Sequence, residues 1–82
     1  MFSELSACHK VVGVKQSTRA VREDRAEKVF LADDADPALL EPIEALCRER
    51  AVSVMRGATM AQLGTLSGIS VGAAVVAVLK DG

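Results

Sequence analysis

Met60-Ala61-Gln62-Leu63-Gly64-Thr65-Leu66-Ser67-Gly68-Ile69-Ser70-Val71-Gly72-Ala73-Ala74-Val75-Val76-Ala77-Val78-Leu79 is a run of twenty residues without a charge, and its reading decides the fold. As one helix it has about the length that spans a bilayer. Gly64, Gly68 and Gly72 recur every four residues, the small-xxx-small spacing that lets transmembrane helices pack closely. Against that reading, Gln62, Thr65, Ser67 and Ser70 dilute the first half. The strongly apolar part, residues 73–79, is only seven residues long and rich in valine, which suits a strand. The competing parse is a short helix over about residues 59–66, a glycine-bounded loop over 67–72 and a fully buried strand.

The rest of the chain decides between the two, because it supplies partners for that strand. Residues 11–14, 29–32 and 52–55 are short apolar, valine-rich runs, each followed by a stretch with helical character, so a βαβαβαβ alternation emerges. Short continuous apolar runs are what strands buried on both faces look like, so helices should cover both sides of one sheet. Residues 2–8 add a short leading helix. Asp36 before Pro37 is a start signal, a carboxylate to accept from free N–H groups and then a proline whose missing donor costs nothing. From there Leu39, Leu40, Ile43, Leu46 and Cys47 fall on one face, with Glu41, Glu44 and Arg48 outside. Pro42 removes the bond to Ala38 and predicts a distorted first turn, or a later start at Pro42 itself.

At 82 residues and 8.6 kDa the chain makes one domain, residues 1–82, with no room for a second core. Half of it is hydrophobic, which excludes a disordered or fibrous class. Two Phe and no Tyr or Trp argue against holding single-stranded nucleic acid on aromatic platforms. Cys8 and Cys47 have no CxxC partner and read as free thiols in a reducing compartment, the cytoplasm. His9 lacks a second histidine nearby, so neither a metal site nor a nucleophile is expected of it, and its plain reading is a helix end. The N-terminus has no basic region leading into a long apolar stretch, hence no secretory signal is expected. No catalytic constellation stands out. The expectation is a non-enzymatic, monomeric protein with no cofactor, no metal and no membrane span.

Ten Lys and Arg against eleven Asp and Glu leave a net charge of −1, which by itself argues against a polyanionic partner. Resolved along the chain the picture differs: residues 10–22 hold four cations and no acid, and residues 33–49 hold six acids and one cation. Gly13-Val14-Lys15-Gln16-Ser17-Thr18-Arg19-Ala20-Val21-Arg22 follows the first strand and opens a helix. Val14, Thr18 and Val21 form a stripe that can face the sheet, and Lys15, Arg19 and Arg22 form a second stripe displaced by one residue. Free N–H groups of the first turn, the positive end of the helix dipole and Lys15 make an anion site, and Gly13 lets the backbone approach closely. Gln16 adds a carboxamide at the helix start, and Lys15 and Arg19 can donate to guanine O6 and N7 or to phosphates. The same residues also read as an ordinary solvated helix face, and taken alone they leave the two readings level. The spacing is neither a P-loop nor a dinucleotide fingerprint.

Residues 12–21 resemble the RNA-reading strand-to-helix junction of the kink-turn-binding ribosomal protein family typified by the archaeal large-subunit ribosomal protein seven-Ae. Val29-Phe30-Leu31-Ala32-Asp33-Asp34-Ala35-Asp36-Pro37 is similar to that family's second strand and helix start. Leu63-Gly64, and Gly68-Ile69-Ser70-Val71-Gly72-Ala73-Ala74, resemble its last helix, loop and strand. The resemblance covers about residues 10–80 and is closest to the short bacterial members, which carry Lys-Gln where archaeal members carry Asn-Glu. It implies an α/β fold, a three-layer α-β-α sandwich with a four-stranded mixed sheet and helices on both faces.

The resemblance also implies a target, a sharply bent RNA internal loop with tandem sheared G·A pairs, in ribosomal or another structured RNA. On that basis Gly13, Lys15, Gln16 and Arg19, with Val14 and Arg22 beside them, would meet the G·A pairs and flanking backbone. Ile69, Ser70, Val71 and Gly72 would offer an apolar surface to a nucleotide flipped out of the bend. Where short relatives have a basic turn after the second helix this chain has Arg22-Glu23-Asp24-Arg25, which is expected to bring two acids near the RNA-facing side and weaken backbone attraction. The alternative from another class is a protein-interaction module of a ribonucleoprotein, with the acidic surface over residues 33–49 as its contact.

Overall fold

In a computed structural model of the chain the described residues are 9–69 and 71–80; the leading helix expected over residues 2–8 lies outside them. The elements run β1 (Lys10–Val12), α1 (Val14–Arg22), β2 (Ala26–Leu31), α2 (Pro37–Glu49), β3 (Ser53–Met55), α3 (Met60–Leu66) and β4 (Val75–Leu79). The sheet order is β1-β4-β2-β3, with β4 antiparallel to both β1 and β2, and β3 parallel to β2. Strands β1, β2 and β3 therefore all finish at the end of the sheet where β4 begins, and each is followed there by a helix.

The central strands carry the core. Val75, Val76, Ala77 and Val78 are all buried, as are Val29, Phe30 and Leu31. Successive strand residues point to opposite faces, so consecutive burial means that both faces are covered. Helices α1 and α2 pack against each other over the sheet, and α3 packs against β4. This is the expected three-layer α-β-α arrangement. Strand β2 begins at Ala26, three residues before the apolar run, because Lys28 pairs with Val78 and Ala26 with Leu79 across a register shift.

Helix α2 begins where the sequence places it. The Asp36 carboxylate accepts from the Ala38 N–H at 2.9 Å, and Pro37 occupies the first turn. The first turn is tight, with the Asp36 carbonyl accepting from Leu39 N–H at 2.9 Å and from Leu40 N–H at 3.3 Å. A later start at Pro42 does not occur, and the helix runs through that proline. Pro42 and Ala38 are both exposed, so the carbonyl that loses its donor faces solvent rather than the core. The buried face is Leu40, Ile43 and Cys47. Leu39, expected on that face, is 51% exposed, because at 100° per residue it and the half-buried Leu46 fall on the rim of a stripe centred between 40, 43 and 47.

The charge-free run is divided into α3, a loop and β4, and no helix among the described residues is long and apolar enough to cross a membrane. Its glycines have separate local causes. Gly68, at φ +80°, follows the last helical turn, where Ile69 N–H donates to Gly64 O at 3.0 Å and Gly68 N–H to Thr65 O at 3.1 Å, a Schellman ending. Gly64 is buried with the Val71 carbonyl lying directly against its Cα, in space that a Cβ would need. The loop then runs back along its own helix, and Ala73 N–H donates to Met60 O at 2.9 Å.

Candidate functional site

Among the described residues three helices start at the end of the sheet where β1, β2 and β3 finish. Ligands of α/β sheets commonly bind beyond the carboxyl ends of the strands, where backbone N–H groups point outward. Two of the three are closed by this chain's own side chains. Asp36 caps α2. Helix α3 has a full capping box, with Thr59 Oγ1 accepting from Gln62 N–H at 3.2 Å and Gln62 Oε1 accepting from Thr59 N–H at 2.9 Å. Asp34 Oδ1 accepts from Met60 N–H at 2.8 Å as well.

Helix α1 is different. Its N-cap is Gly13, at φ 108° and ψ 154°, which has no side chain to offer, and no other side chain caps the helix. That backbone conformation is essentially confined to glycine. Gly13 is fixed by donating its N–H to Val75 O at 2.8 Å and by accepting from Ser17 N–H at 3.0 Å. Among the described residues the positive end of the α1 dipole therefore carries no side-chain cap, at the point where β1 lies beside the start of β4.

The side chains expected around this point divide as follows. Lys15, Gln16, Arg19 and Arg22 are exposed, and with Glu23 they line a groove of about 470 Å³. Val14 is half-buried. The packed stripe is Ser17, Ala20 and Val21, with Thr18 only half-buried. It is rotated from the expected Val14, Thr18, Val21 line because α1 packs against α2 as well as against the sheet. Ser17 is fully buried, and its hydroxyl has no hydrogen-bond partner among the described residues; only its small size marks it in the sequence as a helix-packing residue.

The two acids after α1 take separate roles. Glu23 Oε2 accepts from Arg19 Nε at 3.1 Å and Glu23 Oε1 from Arg25 Nη1 at 3.1 Å. These two hydrogen bonds hold its carboxyl below the ordinary carboxylate range. Asp24 instead pairs with Arg50, at 3.3 Å, at the end of α1 remote from Gly13. Of the two acids expected at the RNA-facing side, only Glu23 reaches the groove. Among the described residues neither Lys15 nor Arg22 forms an ion pair.

The second expected surface reaches the same end of the sheet. Ile69 is half-buried against the core, Gly72 is exposed, and Val71 is 69% exposed. Ser70 lies outside the described residues. The loop is tied in place on both sides, by Ala32 N–H donating to Ala74 O at 2.9 Å and by the bond from Gly13 to Val75. Sequence reasoning missed the roles of Asp33 and Asp34, which also sit at this end. Asp33 Oδ1 accepts from Gly57 N–H at 3.2 Å, and Asp34 caps α3. Cys47 is a free thiol inside the core, its pKa pushed up by burial and by Glu44.

Residues 6–82 match the ribosomal protein L7Ae/L30e/S12e/Gadd45 family. The chain belongs to that family. Among its relatives, the RNA-binding protein YbxF of Geobacillus stearothermophilus is 41% identical over 76 residues, 93% of each chain. The RNA-binding protein TTE2299 of Caldanaerobacter subterraneus is 37% identical over 68 residues, 83% of each. The fold is also that of the 15.5 kDa RNA-binding protein of Giardia lamblia, with a TM-score of 0.86 at 22% identity over 98% of this chain and 68% of that one.

In this member of the L7Ae/L30e/S12e/Gadd45 family the sheet end presents two chemically distinct surfaces. One is a helix start with free N–H donors, an ammonium and a carboxamide, able to bind anions and hydrogen-bond acceptors. The other is an uncharged loop carrying one of the two large apolar side chains that stand exposed among the described residues, Val71, the other being Leu39.

Proposed function

We propose that this chain is a non-enzymatic RNA-binding protein that recognises and stabilises a kink-turn in structured RNA. The observation that carries the reading is the N-terminus of α1, the one helix start among the described residues without a side-chain cap, with Lys15 and Gln16 exposed beside it. Sheared G·A pairs leave guanine O6 and N7 accessible, and these are acceptors for the Lys15 ammonium, the Gln16 amide and, further along, Arg19. Gly13 and Val14 bring the backbone close to the phosphates, and Arg22 adds attraction without base contact. Ile69, Val71 and Gly72, with Ser70 between them in the sequence, belong to the loop proposed to meet an extruded nucleotide, in keeping with the reading of RNA by shape and unpaired bases. Relatives named as RNA-binding proteins support the RNA-binding part of this reading. The protein acts as a monomer in the cytoplasm, with ribosomal RNA as one candidate home for its target.

The test is a titration of a kink-turn RNA labelled on its two arms, and of a variant with the G·A pairs disrupted. Binding with a rise in energy transfer between the arms is expected for the intact RNA only; equal affinity for the two would overturn the proposal. A second reading, a protein contact within a ribonucleoprotein, draws on Leu39, which stands exposed on α2 within the acidic stretch of residues 33–49. Association that survives RNase would favour it.

A further inference from the structure

Between residues 10 and 22 the sequence holds four cations and no acid, yet the groove that three of them, Lys15, Arg19 and Arg22, line does contain a carboxylate. Glu23 takes Arg19 through Nε and Arg25 through Nη1, both at 3.1 Å. Helix stability does not account for an acid there. Glu23 is the C-cap of α1, where a negative charge meets the negative end of the dipole, and a base placed four residues before an acid is the weaker order of such a pair. The position favours a cation on helical grounds, and the acid stands beside the stripe of Lys15, Arg19 and Arg22.

We propose that Glu23 is the groove's own counter-ion, a specificity-determining residue that suppresses attachment of RNA backbone along α1 while leaving contacts at the start of the helix largely unaffected. The inference rests on α1 being the RNA-facing helix. A phosphate chain laid along the stripe must pull Arg19 away from Glu23 and lie close to a carboxylate. Gln16 is seven residues away, about 10 Å along the helix. That exceeds the screening length of about 8 Å at physiological ionic strength, so the base contacts of Lys15 and Gln16 feel the carboxylate weakly, and among the proposed base contacts only that of Arg19 is tied to it. Backbone-only binding is taxed more than recognition of a preformed bend, which suits a chain whose net charge of −1 gives little general attraction for RNA.

The experiment compares the wild-type protein with Glu23→Gln, by fluorescence anisotropy, on poly(U), on the kink-turn RNA and on its G·A-disrupted variant at two salt concentrations. Glu23→Gln should raise poly(U) affinity about two- to fivefold at low salt. It should steepen the log–log salt dependence by about 0.7, the slope for one more phosphate contact on a single strand. Kink-turn affinity should change less, so discrimination narrows. In an Arg19→Ala background the gain should shrink, since Glu23 acts largely through Arg19. Unchanged or weaker poly(U) binding overturns the proposal, as does an equal factor on all three RNAs. Failure of the kink-turn reading is visible in the wild type alone, as equal affinity for intact and disrupted RNA, and the poly(U) comparison then decides Glu23 by itself.

Discussion

Gly64→Ala tests how the loop is held against α3. An alanine in a helix interior is ordinarily worth about 1 kcal/mol over glycine, so composition alone predicts a more stable protein. The structure predicts the reverse. The new Cβ would collide with the Val71 carbonyl oxygen and stand 3.0 Å from its carbon and 3.1 Å from Gly72 Cα. All three are backbone atoms, so no side-chain rotation relieves the clash, and the whole return segment has to shift. Overpacking costs about 1–3 kcal/mol, and its upper range applies where backbone must move. After the propensity gain is subtracted the net loss is about 1–2 kcal/mol, a fall in Tm of roughly 5–15 °C for a domain of this size. Thermal and urea denaturation followed by far-UV circular dichroism read it directly. Thr65→Ala, on the exposed side of the same helix, has a similar gain in propensity and no clash, so it should leave Tm unchanged or slightly raised. A Gly64→Ala protein as stable as the wild type or more so would refute the close approach of loop and helix.

Gly13→Ala meets nothing within 4 Å, so its cost is that of φ 108° alone, about 1–3 kcal/mol of stability in urea denaturation. Lys15→Ala or Gln16→Ala should weaken kink-turn binding by about 1–3 kcal/mol for each lost base contact, whereas Arg22→Ala should lower affinity for all RNAs alike and flatten the salt dependence. The Glu23 carboxyl lies below its ordinary value of 4.5 because Arg19 and Arg25 donate to its charged form. Stability from these pairs is therefore full above the unfolded-state value and disappears as pH falls through the lower folded-state value. Urea denaturation from about pH 6 to about pH 3 should show that component in the wild type and not in Glu23→Gln.

What the sequence made legible was whatever local chemistry dictates. Asp36-Pro37 marked the start that α2 takes, although Pro42 offered a second, and short apolar runs marked all four strands. The positions read less well depend on tertiary partners. Ser17 looks like a solvated polar residue of α1, yet it is fully buried in a helix that packs against both α2 and the sheet. Glu27 and Lys28 interrupt an apolar pattern, yet belong to β2 because β4 continues alongside them. The recurrence of glycine every four residues carries no information about why: Gly64 yields space to a carbonyl and Gly68 adopts a positive φ, and only the fold shows these separate causes. In the candidate site, the exposure of Lys15, Arg19 and Arg22 followed from helical spacing. The pairing of Arg19 with Glu23 could have been suspected from their separation of four residues. The capping role of Asp34 could not, because its partner lies 26 residues away.

The placement of acids gives the net charge of −1 its meaning. At the end of the sheet where the strands finish, Asp33, Asp34 and Asp36 would oppose an RNA phosphate if their carboxylates faced solvent unpartnered. Each instead accepts from a backbone N–H, of Gly57, Met60 and Ala38 respectively. A carboxylate on the positive end of a helix dipole has its local field partly cancelled. Closing α2 and α3 in this way does two things at once: it stabilises their first turns and removes them as competing anion sites. The start of α1, left uncapped by Gly13, becomes the place at this end where positive potential is uncompensated. Affinity at that point is set by a few oriented donors rather than by total charge, which is the condition under which shape and base edges, not phosphate density, decide what is bound.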